Sequence, residues 1–438
     1  MNFKTLFIVS GISVAYSVDG QYMYKSSHSQ NDRAEQIQLN TITTAVPFLL
    51  IGADSRSGAM GDAGVAISPD ANSMHWNPSK YAFVDKDMEF SMSYSPWLRS
   101  LVPDINLAYL TGYKRIDKFS TAAFALRYFS LGNITFTDQN GSEIRQFNPN
   151  EFSIDGAYAR KLSDRFSGAM STRFIYSNLT GGTVVAGADT KAGKSVAVDI
   201  SGFYNNDDVK LGDMNSILAF GFNVSNIGAK MSYTNTSKRD FLPCNLRLGT
   251  ALTLLPDEFN KITFAFDINK LLVPTPPIYD VDSTGSIVYD AEGNPQVLYG
   301  RDPDVGVAAG IFGSFTDAPG FIMTDESGNY VYDSEGKPVI EKGSRFKEEM
   351  REINLSPAIE WWYANQFAVR AGYFHEHASK GNRKFFTVGA GIRYSVFALD
   401  VSYLISLSQQ NPLAKTLRFT LKFTFDKSKK EKTSSAES

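Results

Sequence analysis

The chain of 438 residues lacks most features that would cross-link or anchor a protein by simple means. Its single cysteine, Cys244, excludes an intramolecular disulfide. After residue 16 no run approaches the roughly 20 consecutive apolar residues of a transmembrane helix, and the mean hydropathy of −0.20 excludes a helical membrane bundle. The net charge of −3 gives no overall positive potential that would attract nucleic acid. A transmembrane β-barrel remains open, because its strands are apolar on one face only.

The first twenty residues predict an export signal. Lys4 gives a positive start, and Leu6 to Tyr16 is an apolar core of the usual length. Small or tolerated residues at positions 18–20 place the cleavage before Gln21. A short buried helix is the alternative interpretation. No cysteine follows the signal, so a lipoprotein anchor is excluded and the mature protein is expected to leave the cytoplasm.

Alternation with period two dominates from residue 88 onward and predicts strands. In the last strand, positions 417, 419, 421, 423 and 425 hold Leu or Phe, whereas 418, 420, 422 and 424 hold Arg, Thr, Lys and Thr. The composition, with 34 glycines and 13% aromatic residues, is also typical of a protein rich in β-strands. Fourteen segments follow this pattern: 88–95, 105–114, 120–129, 151–161, 166–178, 194–205, 215–227, 244–255, 260–270, 352–364, 366–376, 384–395, 396–405 and 416–425.

The connections between these segments alternate between short turns and longer loops, which is the pattern of an outer-membrane barrel. An all-β fold is predicted, a barrel of about 14 antiparallel strands over 86–426 with a long extracellular loop at 271–351. An even strand number puts both termini in the periplasm, where the polar tail 427–438 is expected to be disordered. A large soluble β protein would also alternate, but one side of every segment is nearly free of charge.

The segment before the barrel, 21–85, becomes rich in small residues after position 41. Glycine allows tight turns and close backbone approach, so this segment is expected to fold inside the barrel as a plug. A phosphate-binding loop is rejected, because no GxxxxGK[ST] motif is present. The residues expected to build the plug are Gly58, Gly61, Asp62, Gly64, Asn72, His75, Trp76 and Asn77.

Three stretches carry a resemblance to a known family. The run PFLLIGADSRSGAMGDAGVAISPDANSMHWNPSKYAF resembles the N-terminal hatch of PorV-type outer-membrane proteins of the type IX secretion system, which are related to the FadL barrel fold. The segments GIFGSFTDAPG (310–320) and FAVRAGYFHEHASKGNRKFFTVGAGIRY (367–394) are also similar to this family. The resemblance implies a fourteen-strand barrel with a plug, in the outer membrane of a Gram-negative bacterium.

The resemblance also implies a function and partners. Proteins of this family bind the C-terminal signal domain of secreted cargo, take it from a very large translocon barrel, and deliver it to a sortase-like attachment complex at the cell surface. Outer-membrane lipid and lipopolysaccharide are further expected partners, and nucleic acid is not. Two alternatives stay open: a FadL-like transporter of hydrophobic molecules, and a lipopolysaccharide O-deacylase.

The long loop contains an internal repeat. IYDVDSTGSIVYDAEGNPQVLYG (278–300) aligns with FIMTDESGNYVYDSEGKPVIEKG (321–343) at a constant offset of 43. The pattern of each copy predicts hairpins with Asp-x-x-Gly turns. Its carboxylates could bind Ca²⁺, but turn formation and solubility are the favoured reason for the aspartates.

Cargo contacts are expected on the long-loop side, at an exposed apolar cluster made of Trp97, Leu98, Leu101 and Val102. An aromatic belt at the membrane interface is the alternative for Trp97. The pair His375 and His377 flanks one residue at a loop start, which is weak as a metal site. No GxSxG nucleophile motif is present. The chain is therefore predicted not to be an enzyme, with no catalytic residue, no cofactor and no metal.

Overall fold

The computed structural model describes residues 39–98, 104–137, 143–184, 189–235, 239–282, 286–407, 413 and 416–426. The chain forms two compact units. The described part of the barrel unit comprises 45–269, 355–375 and 384–426, and that of the loop unit comprises 39–44, 270–354 and 376–383. Within the portion that the structure describes, no helix is long and apolar enough to cross a membrane.

Eighteen strands are present in the described residues, in chain order: β1 Met88–Pro96, β2 Asn106–Arg115, β3 Ser120–Ser130, β4 Ile134–Thr137, β5 Glu143–Phe147, β6 Asn150–Lys161, β7 Phe166–Asn178, β8 Gly193–Leu211, β9 Met214–Gly228, β10 Asn245–Leu255, β11 Asn260–Leu271, β12 Ile278–Tyr279, β13 Val297–Tyr299, β14 Asn354–Tyr363, β15 Phe367–His375, β16 Lys384–Tyr394, β17 Phe397–Ser406 and β18 Leu417–Phe425. Four short α-helices accompany them: α1 Ser55–Gly58, α2 Ser73–Trp76, α3 Val307–Gly313 and α4 Ser344–Arg351. Turns of 3₁₀ type span Pro47–Leu50, Pro78–Phe83 and Ala378–Lys380.

Fourteen of the strands form one closed antiparallel barrel, in the order β1-β18-β17-β16-β15-β14-β11-β10-β9-β8-β7-β6-β3-β2. The first and last strands close it, from Met88 opposite Phe425 to Tyr94 opposite Phe419. Closure leaves no strand edge unpaired, which is the condition for a sheet in hydrocarbon. The predicted fold class is confirmed, and each predicted strand corresponds to one barrel strand to within a few residues.

The alternation of the sequence becomes an inside and an outside. In β18 the outward side chains Leu417, Phe419 and Phe425 are exposed, whereas Arg418 and Lys422 are buried at 3% and 1%. In β18 the apolar face of the sheet therefore points outward and the charged face points inward, the opposite of the arrangement in a soluble barrel. This burial of charge requires partners inside the barrel.

Short turns close one end of the barrel. Between β14 and β15, Ala364 and Asn365 both have positive φ, 50° and 53°, and the Gln366 amide donates to the Tyr363 carbonyl at 3.0 Å, which closes a tight turn. Between β10 and β11, the Asp257 carboxylate accepts hydrogen bonds from the amides of Phe259 and Asn260. Local side chains thus fix the hairpin register at this end.

Two of the predicted loops contain structure of their own. The 130–150 segment, predicted as a loop, includes the hairpin β4–β5, which pairs outside the barrel sheet. The predicted turn 206–214 is shorter than expected, because β8 and β9 continue to Leu211 and from Met214. Polar residues at strand ends obscured both, since an exposed hairpin lacks the apolar face that marks a membrane strand.

Candidate functional site

Residues 45–84, here called the hatch, contact the inner side of the barrel wall in several directions. The turn at 78–83 packs against β3, β6, β7 and β8, and α1 packs against β16, β17 and β18. Phe48, Met60, Met74 and Tyr81 are exposed by no more than 1%. A segment that contacts strands this far apart in the barrel order, with its side chains buried, lies within the barrel.

A closed ring of alternating charges joins the hatch to the wall. Each member contacts the next through an ion pair of 2.6 to 3.4 Å, and every side chain is at most 9% exposed. The hatch supplies two members and strands β14, β15, β17 and β18 supply one each. In order around this charge ring they are Arg56, Glu360, Arg370, Asp400, Lys422 and Asp70.

Two of the shortest ion pairs of the charge ring meet at Glu360. Its two carboxylate oxygens accept bonds from Arg56 Nε at 2.9 Å and Nη2 at 2.7 Å, and from Arg370 Nε at 2.6 Å. Such bidentate, charge-assisted hydrogen bonds are stronger than neutral ones, and they also fix the orientation of the two side chains. With three cations and three anions, the six side chains of the charge ring carry no net charge among themselves.

Glycines of the hatch lie where its backbone touches the wall. Gly61 has φ of +62°, and a Cβ there would lie within 2.5 to 2.7 Å of the Tyr373 backbone. A methyl group on Gly372 of β15 would overlap the backbone of Met60 and Gly61. A side chain at Gly64 would overlap the indole of Trp76. Close backbone approach is thus the reason for glycine on both sides of this contact.

The predicted polar residues of the hatch make specific contacts. Asp62 pairs with Arg418 at 2.6 Å, and a Cβ on Gly58 would overlap the same guanidinium. Trp76 Nε1 donates to Asp54 at 2.6 Å. The Asn77 amide donates to the carbonyls of Val65 and Gly202 at 3.1 Å, one in the hatch and one in β8.

His75 and Asn72 lie in contrasting surroundings. The His75 ring lies between two guanidinium groups, with Nδ1 2.8 Å from Arg127 Nη2 and Nε2 3.4 Å from Arg247 Nη2. The buried side-chain amide of Asn72 has no hydrogen-bond partner among the described residues. The structure thus brings most of the predicted plug residues into one packed hatch, but it does not test what they do.

The apolar cluster predicted for cargo is only partly described. Trp97 is 8% exposed and belongs to the main apolar core of the barrel unit, so the expectation that it is exposed is wrong. The Arg418 guanidinium also lies 5.9 Å from the centre of its ring. Leu98 is partly buried and has positive φ. Leu101 and Val102 lie outside the described residues. A binding role for this cluster stays a prediction.

The loop unit has an ionic anchor of its own. Lys380 contacts Glu348 at 2.8 Å and Glu352 at 3.0 Å, and Lys270 contacts Glu352 at 2.5 Å. Glu348 also accepts a bond of 2.9 Å from the Asn40 amide. These residues come from four separate stretches of sequence, so α4 and its C-terminal residues hold the loop unit together.

Burial also perturbs one carboxyl group of the loop unit. Asp317 is 3% exposed, and its Oδ2 accepts a hydrogen bond from the Thr275 amide at 3.1 Å. Desolvation raises its pKa to about 6, and the nearby carboxylates of Glu352 and Glu349 act in the same direction. The Asp317 carboxyl group therefore keeps its proton to a higher pH than an exposed aspartate does.

The described residues of the two repeat copies share one hydrogen-bond pattern. In the first copy the amide of Asp280 donates to Gln296, that of Gln296 to Val288, and that of Val288 to Asp280, at 2.9 to 3.0 Å. Residues 323, 339 and 331, at the constant offset of 43, repeat this cycle of three hydrogen bonds at 2.7 to 2.9 Å. The repeat is therefore a structural module used twice.

Aspartates form the turns of the module. The Asp290 Oδ1 atom accepts from the amides of Glu292 and Asn294, and Asp333 Oδ1 accepts from those of Glu335 and Lys337. These bonds agree with the favoured reason for the aspartates. Among the residues described, no group of three or more His, Cys, Asp or Glu side chains is arranged to hold a metal ion.

The loop unit also presents large apolar side chains to solvent. Phe312 of α3 is 77% exposed and Phe346 of α4 is 72% exposed. Tyr289 and Tyr332, equivalent positions in the two repeat copies, are 56% and 54% exposed. Reasoning from sequence had not singled out these residues, although the paired YD motifs of the repeat were visible. Exposed aromatics of this kind are typical of surfaces that bind a partner.

Comparison with solved structures shows fold likeness at low identity. The toluene transporter TodX of P. putida has a TM-score of 0.46 and 10% identity, covering 86% of this chain and 99% of that one. The toluene transporter TbuX of Ralstonia pickettii has a TM-score of 0.44 and 9% identity, with coverage of 86% and 99%. A FadL homologue of Pseudomonas aeruginosa has a TM-score of 0.41 and 11% identity, with coverage of 89% and 99%. With TM-scores below 0.5, these likenesses carry no argument about this chain.

Comparison with protein families is more specific. No curated protein matches the chain significantly. The family described as type IX secretion system protein PorV matches residues 33–278, which is more than half of the chain and includes the whole hatch. The chain therefore belongs to the PorV family, the outer-membrane proteins of the type IX secretion system.

Proposed function

We propose that the protein binds the C-terminal signal domain of secreted cargo, takes the cargo from the translocon and delivers it to the attachment complex at the cell surface. Membership of the PorV family supports a role among type IX secretion components and their cargo. The observation that favours a shuttle is the charge ring, which ties the hatch to four wall strands through buried ion pairs. An interior closed in this way favours a barrel that works through its outer surfaces.

The loop unit is the cargo surface that we favour. It presents the exposed aromatics Phe312, Phe346 and Tyr332 on a segment held together by its own ion pairs. The cargo signal domain is expected to be β-rich, so apolar contact and strand pairing can combine. Of the apolar cluster predicted from the sequence, the partly buried Leu98 remains a second proposed contact, whereas Trp97 is buried.

Exchange of these aromatics for serine tests the cargo surface. The purified triple variant Phe312→Ser, Phe346→Ser, Tyr332→Ser should bind an isolated cargo signal domain at least about tenfold more weakly, because exposed aromatics dominate such interfaces. The matched control exchanges Phe119, Phe259 and Tyr394, which are 56%, 57% and 81% exposed near the short turns. Equal cargo affinity of both triple variants would remove the loop unit from the proposal.

We also propose that the long loops face the outside and that both termini are periplasmic. An epitope tag inserted after Gly293, in an exposed turn of the repeat, should bind antibody on intact cells. A tag after Glu258, in the short turn between β10 and β11, should bind only after the outer membrane is opened. The reverse labelling pattern would contradict this orientation.

The alternatives predict different behaviour. A FadL-like transporter should bind hydrophobic molecules saturably without protein partners, and the buried charges of the interior disfavour an apolar path. A lipopolysaccharide O-deacylase should change lipid A acylation, and it should depend on one serine or aspartate. The proposal that the protein is not an enzyme is tested by the acylation pattern of lipid A in cells lacking the protein, which should be unchanged.

A further inference from the structure

The negative charge of the chain is concentrated in the loop unit. Residues 279–354 contain 15 acidic and 6 basic side chains, which gives them a net charge of −9. Because the whole chain carries −3, all other residues together carry +6. This acidic segment lies beyond residues 33–278, which the PorV family matches, so the match does not imply its charge.

The two repeat copies carry most of this charge. The first copy, 278–300, has four acidic residues and no basic one, and the second copy, 321–343, has five acidic residues and two lysines. Glu292 of the first copy and Asp325 and Glu326 of the second are exposed. Of the two lysines, Lys337 pairs with Glu335 at 3.2 Å. Each module therefore presents a net negative charge to solvent.

The turns of the modules keep their aspartates ionised. Asp325 Oδ1 accepts hydrogen bonds of 2.9 Å from the amides of Ser327 and Asn329. Backbone N–H groups that donate to a carboxylate stabilise its charged form. The amide of Asn329 thus lowers the pKa of Asp325, as the amide of Asn294 lowers the pKa of Asp290. These carboxylates therefore stay charged to a lower pH than aspartates without such bonds.

An exposed tyrosine stands directly before a turn aspartate in each module. Tyr289 and Tyr332 are 56% and 54% exposed, and Asp290 and Asp333 follow them in the sequence. The face of an aromatic ring attracts an ammonium or guanidinium group, and a carboxylate forms charge-assisted hydrogen bonds with the same groups. Two equivalent copies of this combination favour a partner that presents several lysine or arginine side chains.

We propose that the two modules bind a basic protein surface, and that the lysine and arginine side chains of this surface determine which partners the loop unit accepts. Anionic lipid headgroups are disfavoured, because like charges repel one another. Opposite charges on two surfaces accelerate their encounter and exclude partners of the wrong sign. For cargo, the inference rests on the proposed function and specifies it further: the signal domain meets the loop unit with a basic face.

Binding kinetics of the full-length protein in a nonionic detergent, with an isolated cargo signal domain as the probe, test the proposal. The neutralised variant replaces two carboxylates in each module by amides, which keep an oxygen that can accept the turn hydrogen bonds: D290N, E292Q, D325N and E326Q. The matched control removes four exposed carboxylates near the short turns and changes the net charge equally: D117N, D164N, D208N and E258Q.

The neutralised variant should bind the signal domain at low salt with an association rate constant at least about tenfold lower than that of the unmodified protein. Its association should also depend less on salt, because salt screens the attraction that the exchanges remove. The control variant should associate at the unmodified rate. Acetylation of the lysines of the signal domain should slow its association with the unmodified protein in the same way.

A lysine oligomer of about ten residues is a second probe that is independent of cargo. The neutralised variant should bind it at least about fivefold more weakly than the unmodified and control proteins do. Equal binding of both probes by the neutralised and control variants would overturn the inference and leave cargo binding intact. If the signal domain does not bind the unmodified protein, but the oligomer distinguishes the two variants, the proposed function fails and the basic partner stands.

Discussion

At the scale of single residues, the charge ring makes the hatch and the wall dependent on each other. Glu360 forms ion pairs with both Arg56 and Arg370, each at most 1% exposed. Removal of one partner from a buried ion pair is costly because an uncompensated charge remains in a low dielectric. We therefore expect the charge ring to determine the position of the hatch against the wall more than to add net stability.

Glu360→Gln should lower the free energy of unfolding by about 3–5 kcal/mol. The remaining amide cannot neutralise two guanidinium groups. The measurement is urea unfolding, followed by the gel mobility of the folded barrel. Glu258→Gln, the same exchange at an exposed turn, should change the unfolding free energy by less than about 0.5 kcal/mol. Similar effects of both exchanges would show that the charge ring does not hold the hatch.

Backbone contact provides a second residue-scale prediction. Gly372→Ala should lower the melting temperature by several degrees, since a methyl group there overlaps the hatch backbone. Gly156→Ala is the matched control, because nothing lies within 4 Å of a methyl group at that position of β6. Protease cleavage within the hatch should increase in the first variant and stay unchanged in the second. An unaltered Gly372→Ala protein would contradict the close contact.

At the scale of elements, the loop unit should respond to pH through Asp317. The folded unit binds a proton more tightly than the unfolded chain, because its pKa is raised to about 6 from the ordinary 3.8. Stability is therefore full below the unfolded pKa and decreases as pH rises from about 4 through 6. The opening free energy of residues 270–354, taken from hydrogen exchange after correction for the intrinsic pH dependence of amide exchange, should fall over that range by on the order of 1–3 kcal/mol.

Asp317→Asn should abolish this pH dependence and protect the unit at neutral pH. Asp333→Asn is the control, since its amide oxygen can still accept the turn hydrogen bonds of an exposed aspartate. A profile that stays pH-dependent without the Asp317 carboxyl group would assign the effect to another residue.

Local patterns explain how much of the fold is predictable. Each barrel strand was visible as alternation, because lipid on one side and a polar interior on the other impose period two. Inward charges such as Arg370 and Asp400 were visible for the same reason. Their partners in the hatch were not, since Arg56 lies 304 residues before Glu360 and alternation carries no information about which wall strand a hatch residue meets.

The loop unit shows the same limit. The offset of 43 predicted two equivalent hairpin modules, and the aspartate turns follow from local chemistry. The cycle of three hydrogen bonds in each copy, the ion pairs of α4 and the burial of Asp317 depend on residues brought together from distant segments. Trp97 was misjudged for the same reason, because a tryptophan in a loop sequence reads as exposed until its neighbours are known.

At the scale of the whole molecule, several features favour the proposal of a barrel that acts through its surfaces. The charge ring ties the hatch to the barrel wall, and the loop unit presents aromatic side chains to solvent. The chain also belongs to a family of secretion components. Such a division of roles suits a protein that carries partners at the membrane surface while its own barrel stays closed.

Purification of the native protein from the outer membrane in mild detergent, with mass spectrometry of what accompanies it, tests this account most directly. We predict a very large barrel protein, or several proteins that share one C-terminal β domain, in stoichiometric amounts. A lone barrel that carries only lipid would contradict the shuttle and favour the transporter or the lipid-modifying alternative.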